Sequence, residues 1–244
     1  MVEYFPSSGA PSTLTVGGWL DIWLAAQRIE PSTKDGYESA IRFWKAAACD
    51  KNQNVLGPTP LRKLKLSHVL TAIAGRPDLS GKTINNYVSV LRKALELAVS
   101  DNVLTNNPAA DVPRAKHRKP LPDPFSRDES ERVIGEAERA YPGQVHNLIE
   151  FWFWTGLRTS ELFGLQRLNV DLQNGTILVA EALVRGEHKD RTKTAVARTI
   201  RLISRALAAL IRQRFFTQIS GAAVFHDPRY GTRWEDERAF RRSF

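Results

Sequence analysis

The hydrophobic positions change rhythm along this chain, and the rhythms separate its parts. Val16, Trp19, Leu20, Trp23 and Leu24 recur at helical spacing and predict one amphipathic helix. The turn "EPST" follows, with Ser32 or Thr33 placed to cap a second helix. That helix carries Tyr37, Ala40, Ile41, Trp44 and Ala48 inward and leaves Lys34, Arg42 and Lys45 largely off the stripe. "LSHVLTAIAG" predicts a short third helix that stops at Gly75. In "SGKTINNYVSVLRKALELAVSDNVL", Ile84, Tyr87, Val88, Leu91, Leu95 and Ala98 form the inner face of a fourth helix. Asn85, Ser89, Arg92 and Glu96 are expected on its outer face. Four such helices within residues 1–112 predict an all-α bundle.

The period then breaks. "NNPAADVPRAKHRKPLPDPF" holds five prolines and the basic cluster Arg114, Lys116, Arg118 and Lys119, which predicts an extended linker over 113–125. A segment lying along phosphates has this composition, and so does an ordinary solubilising connector. The second domain, 126–244, opens on "SRDE", where Ser126 and Glu129 fit a capping box. A helix through Leu148, Ile149 and Trp152 runs into a Thr155–Gly156 turn, and helix resumes from Ser160 to Arg167. The spacing next shifts to two: "GTILVAEALVRG" and "TAVARTIRL" predict strands flanking one polar turn, "EHKDRTK". "ISRALAALIRQRFF" returns to helix. The fold class expected is therefore multidomain and mainly α, an all-α bundle followed by an α+β domain with a small antiparallel sheet.

Charge narrows the partners. The 244 residues carry a net +9, and the basic excess is uneven. Residues 1–112 hold 12 Lys and Arg against 10 Asp and Glu, and the remainder holds 23 against 16. Such a surplus favours a polyanion, nucleic acid above all. No apolar run approaches the ~20 residues of a membrane span, and the N-terminus has no signal-peptide core. The lone Cys49 excludes an internal disulfide framework and fits a reducing cytoplasm. Five scattered histidines give no metal-ligand spacing, so no metal or other cofactor is expected.

"FWFWTGLRTSELFGL" raises the chemical question. It sets Arg158 on a glycine turn, between an aromatic run and an apolar helix. A guanidinium removed from water needs a partner. Glu161, three residues on, can simply neutralise it as an i, i+3 pair. The other reading is an anion site: a guanidinium offers a planar set of donors to phosphate oxygens, and a helix N-terminus adds to its pull.

"TGLRTSELFGL" resembles the first conserved box of the tyrosine recombinases (phage-type integrases), in which a Gly-Leu-Arg turn is followed three residues later by glutamate. The surroundings are similar too. The four-helix module ending in "NNP" resembles the family's SAM-like core-binding domain, "RTKTAVARTIRL" the strand pair bearing a catalytic lysine, and "AAVFHDPRYGTRW" the segment before the second box. The resemblance implies that Arg158 grips the scissile phosphate and Glu161 braces it. It implies that Lys193, directly before Thr194, donates a proton to the leaving oxygen, with Lys189 the rival. It also implies contacts to double-stranded DNA from Lys34, Arg42, Lys45, Lys82, Arg92, Arg114, Lys116, Arg118 and Lys119, each of which otherwise reads as a solvated cation. The partners implied are attachment-site DNA and, in the full-length protein, three further copies in a tetramer, with no membrane and no small-molecule substrate.

The family completes its site with His-x-x-Arg and a tyrosine nucleophile. "HDPR", His226 to Arg229, spells that box, yet its Asp-Pro-Arg-Tyr-Gly run predicts a turn and not the start of a helix. The expectation is a fragment that binds DNA but forms no phosphotyrosyl link. Two other readings stay open: a non-catalytic DNA-binding protein built on the same scaffold, and a helical nucleic-acid adaptor unrelated to recombination.

Overall fold

The structure, a computed structural model, describes residues 14–117, 121–184, 187–189, 196–219, 221–234 and 237–242. The chain divides into two compact units, 1–121 and 122–244.

The first unit is helical: α1 (Val16–Ala25), α2 (Pro31–Ala46), α3 (Leu66–Ala74) and α4 (Gly81–Ser100). Thr15 caps α1 through its hydroxyl, which accepts from Gly18 N at 3.1 Å, and Ser80 caps α4 by accepting from Thr83 N. The start of α2 differs from the expectation. Glu30 is its N-cap and Pro31 its first residue, so Ser32 and Thr33 lie inside the helix. Proline has no N–H to lose at that position, and its fixed φ already suits a helix.

The long α4 runs along the core of this unit. Ile84, Val88, Leu91, Leu95 and Ala98 are buried against Trp19, Leu20 and Trp23 of α1 and Ile41 and Trp44 of α2. Two indoles bolt the helices together: Trp19 Nε1 donates to Ala94 O at 2.6 Å and Trp44 Nε1 to Tyr87 O at 2.9 Å. Asn85 and Arg92 do not point to open solvent as their spacing predicts. Asn85 exchanges two hydrogen bonds of 2.9 Å with the main chain of Ala115. Arg92 donates to the carbonyls of Ala109 (3.1 Å) and Val112 (3.3 Å). The first residues read as linker therefore lie along α4. Their backbone has no strand or helix of its own, so side chains of α4 satisfy it.

The second unit opens with α5 (Arg127–Ala140), and Ser126 and Glu129 form its capping box, as the spacing predicts. Next come α6 (Gln144–Thr155) and α7 (Thr159–Gly164), then β1 (Val170–Asp171), β2 (Thr176–Val179), β3 (Ala182–Val184), β4 (Glu187–Lys189) and β5 (Arg198–Arg201). The unit ends in α8 (Ser204–Thr217), β6 (His226–Asp227), β7 (Thr232–Arg233) and α9 (Glu237–Arg241). An antiparallel sheet runs β1-β2-β5, with Ile177 opposite Ile200 and Val179 opposite Arg198.

Two predicted elements are corrected. Residues 187–189, read as part of a polar turn, form β4, which pairs with β3 in a separate hairpin. The helix expected to reach Arg167 ends at Gly164. A Cβ on Gly164 would stand 2.7 Å from Ala182 Cα and 2.8 Å from Leu183 N, so this glycine lets α7 dock directly on the backbone of β3. The chain then turns away at Leu165.

A polar network centred on the buried Glu150 joins α5, α6 and α8. Glu150, 4% exposed, accepts from Arg205 at 2.7 Å and also from Arg212. Arg205 reaches Glu131 as well, at 2.8 Å, and Arg212 Nε donates to Asn147 Oδ1 at 2.9 Å. Two carboxylates and two guanidiniums balance, and the buried Glu150 is paired, as burial of a charge requires. Among the described residues no helix is long and apolar enough to cross a membrane.

Candidate functional site

Arg158 is positioned by the turn before it. Gly156 ends α6 in the left-handed conformation, φ 62°, which suits a residue without Cβ. The indole of Trp152 donates to Leu157 O at 2.7 Å and so clamps the residues between Gly156 and Arg158. Leu157 is buried, and Phe151, Leu162 and Phe163 pack in the same core. The turn is thus fixed from below, and Arg158 emerges as the N-cap residue of α7 with half of its side chain exposed.

Glu161 is the hub. Its side chain is fully buried, and both oxygens are engaged twice. Oε1 accepts from Arg158 Nη1 at 2.8 Å and from Arg198 Nη1 at 3.0 Å. Oε2 accepts from the main-chain N–H of Arg158 at 3.0 Å and from Arg198 Nη2 at 2.8 Å. The Arg198 fork, above all, holds the Glu161 carboxyl down at about 2 although burial alone would raise it. Arg198 in turn is pushed above its ordinary value by the same hydrogen bonds.

Comparison with the Glu150 network decides what this cluster can do. There, two arginines share two carboxylates. Here, two arginines share one, and among the described residues no other carboxylate pairs with either. Among the described residues the cluster thus has one positive charge more than it has carboxylates, at a half-exposed guanidinium. A plain i, i+3 surface pair would be neutral and would not bury its acid. The arrangement suits an incoming anion of tetrahedral oxygens.

The remaining predicted residues are placed as follows. Lys193 lies outside the described residues, as do Arg118 and Lys119. The rival Lys189 stands at the end of β4, in register with Ala182 of β3. Lys34, Arg42, Lys82, Arg114 and Lys116 are exposed. Lys45 is partly buried and pairs with Asp21 at 2.6 Å. Arg92 is spent on the carbonyls of residues 109 and 112. His226 and Asp227 are buried in β6, and Arg229 and Tyr230 occupy the turn to β7. Arg229 grips Asp227 and stacks over the exposed Tyr230 ring at 5.1 Å, so "HDPR" is a hairpin and opens no helix. Burial and the nearby Arg167 push the His226 imidazole below its ordinary value.

Sequence reasoning missed Arg198. Its signal was present in the strand's period: residues 198, 200 and 202 share the inward parity with Ile200 and Leu202. A cation on an inward position asks for a buried acid, and Glu161 is that acid.

No family model matches the chain. Among curated proteins it is 31% identical over 162 residues to the putative defective protein IntQ of Escherichia coli (strain K12), covering 65% of this chain and 40% of that one. It is 27% identical over 217 residues to the prophage integrase IntR of the same strain, covering 82% and 50%. Among solved structures it matches the Tn1549 transposon integrase in complex with a circular intermediate DNA, with TM-score 0.68 and 26% identity over 81% of this chain and 64% of that one. The mainly helical fold with small antiparallel sheets is that of the integrases. In sequence and in fold the chain is similar to the tyrosine recombinases and integrases. It spans about half the length of the curated relatives it matches.

Proposed function

We propose that this chain binds double-stranded DNA and that Arg158 takes hold of one backbone phosphate, as part of a site-specific recombinase of the phage or genomic-island type. In that protein strands are cut and rejoined through a 3′-phosphotyrosyl intermediate, without metal or cofactor, in a tetramer assembled on paired sites. The observation that carries the reading is the unbalanced cluster: one buried carboxylate shared by two arginines, one of them half exposed. Charge that develops on the nonbridging oxygens of an attacked phosphate is stabilised by such a preorganised donor.

Residues 1–112 serve as the core-binding domain, 113–125 as the linker and 126–244 as the arginine-bearing part of the catalytic domain. Lys34, Arg42, Lys82, Arg114 and Lys116, all exposed, are the cations we assign to phosphate contact, with Arg118 and Lys119 beside them in the sequence. Lys193 is assigned the proton donation, and Glu161 the bracing of Arg158. Tyr230 is not assigned the nucleophile, because it sits on a hairpin turn under Arg229.

Binding of a labelled duplex, followed by fluorescence anisotropy across a salt series, tests this. Affinity falls as salt rises, and Arg158→Ala lowers the slope of log affinity against log salt by about 0.9, the loss of one phosphate contact. An affinity that does not change between low and physiological salt refutes the reading.

A further inference from the structure

Arg198 has no role in the reading so far, yet it is the strongest partner of Glu161. A carboxylate offers about four acceptor sites, two on each oxygen. Here all four are filled, two by the Arg198 fork and two by Arg158, one of these from its main chain. Arg158 therefore spends a single side-chain N–H on Glu161, out of five. Its other four donors make no hydrogen bond among the described residues.

We propose that Arg198 is a positioning residue: by saturating the Glu161 carboxylate it keeps Arg158 from closing onto that acid and leaves its guanidinium free for phosphate. This rests on the reading of Arg158 as the phosphate-gripping residue. Removing Arg198 vacates one acceptor site on each oxygen of a buried anion. The nearest guanidinium able to fill both is that of Arg158, which turns inward and forms the two-pronged pair itself. An arginine fork fits this task better than lysine, since only a planar pair of N–H groups reaches both oxygens together.

Variants compared in the same duplex-binding assay, after thermal melts establish that each is folded, separate this role of Arg198 from bulk charge and from simple stabilisation. R198A is expected to lose affinity by the factor that R158A loses, to within about twofold, with the same drop of about 0.9 in salt slope. R198K keeps the charge but not the fork and is expected to bind more weakly than the unaltered chain. E161Q/R198A removes the acid together with its partner, so Arg158 is freed and affinity returns. E136Q/R198A restores the same net charge at an exposed pair on α5, Glu136 with Arg139, and is expected to stay weak.

Unaltered affinity in R198A or in R198K overturns the proposal, as does recovery in E136Q/R198A or the lack of it in E161Q/R198A. If R158A itself binds like the unaltered chain, the reading of Arg158 fails and this proposal falls with it. If R158A is weak while R198A is not, only the proposal falls.

Discussion

Replacing Glu161 by glutamine removes the buried charge on which two arginines converge, and the consequence depends on pH in a definite direction. The carboxyl is held at about 2 in the folded chain against an ordinary 4.5. A depressed value contributes stability above the unfolded pKa, and that contribution is lost as pH falls through the folded one. The full difference corresponds to about 3 kcal/mol at neutral pH. The arginines are 50% and 38% exposed, so solvent screening reduces this, and about 1 to 2 kcal/mol is the expected gap between the unaltered chain and Glu161→Gln. Linkage then makes the gap shrink by about 1 kcal/mol between pH 5 and pH 3, most of it below pH 4. Urea unfolding at a series of pH values, with the transition of the second unit resolved from that of the first, measures it directly. Other carboxylates titrate alike in both proteins and cancel in the difference. A gap that is constant from pH 5 to pH 3 refutes the claim that the guanidiniums hold Glu161 ionised. A glutamine variant more stable than the parent at neutral pH refutes it equally.

Three further outcomes follow from the packing. Gly164→Ala places a methyl 2.7 Å from Ala182 Cα, a backbone atom that cannot swing aside, so a thermal melt should show a loss of about 1–3 kcal/mol. Arg92→Ala strips two hydrogen bonds from the carbonyls of residues 109 and 112, which should cost the first unit about 1–3 kcal/mol and speed proteolysis between residues 109 and 117. Trp152→Phe retains the ring packing but loses the 2.7 Å bond to Leu157 O. It should cost about 1 kcal/mol in denaturation and weaken duplex binding, because the turn that presents Arg158 is no longer clamped.

Much of this architecture is visible in hydrophobic spacing, and the misses share a cause. Helices α1 to α4 and the Ser126–Glu129 capping box follow from local period and local hydrogen bonding, which neighbouring residues alone determine. Arg158 and Glu161 are legible because the pair is only three residues apart. What spacing cannot show is a partner distant in sequence. Arg92 and Asn85 read as solvated, and they clasp main chain that arrives 17 to 30 residues later. The helix that should reach Arg167 stops at Gly164 because β3, more than a turn of chain away, sits against it. β4 hides in a polar stretch because pairing with β3, not side-chain burial, makes it a strand. Arg198 reaches Glu161 across 37 residues.

That last contact changes how the arginine turn should be understood. A single arginine beside a single glutamate is a closed pair: its charge is spent, and an arriving phosphate must compete with the carboxylate for the guanidinium. The molecule escapes this competition by committing a second guanidinium, from the sheet, to the acid. The acid can then do structural work, tying α7 to β5 and receiving the main-chain N–H at the helix start, while the first guanidinium stays half in solvent. The Glu150 network shows the alternative. There a second acid, Glu131, pairs with Arg205, the charges cancel, and the cluster holds helices together. Among the described residues, the difference between the clasp at Glu150 and the cluster proposed to take an anion therefore comes down to one carboxylate.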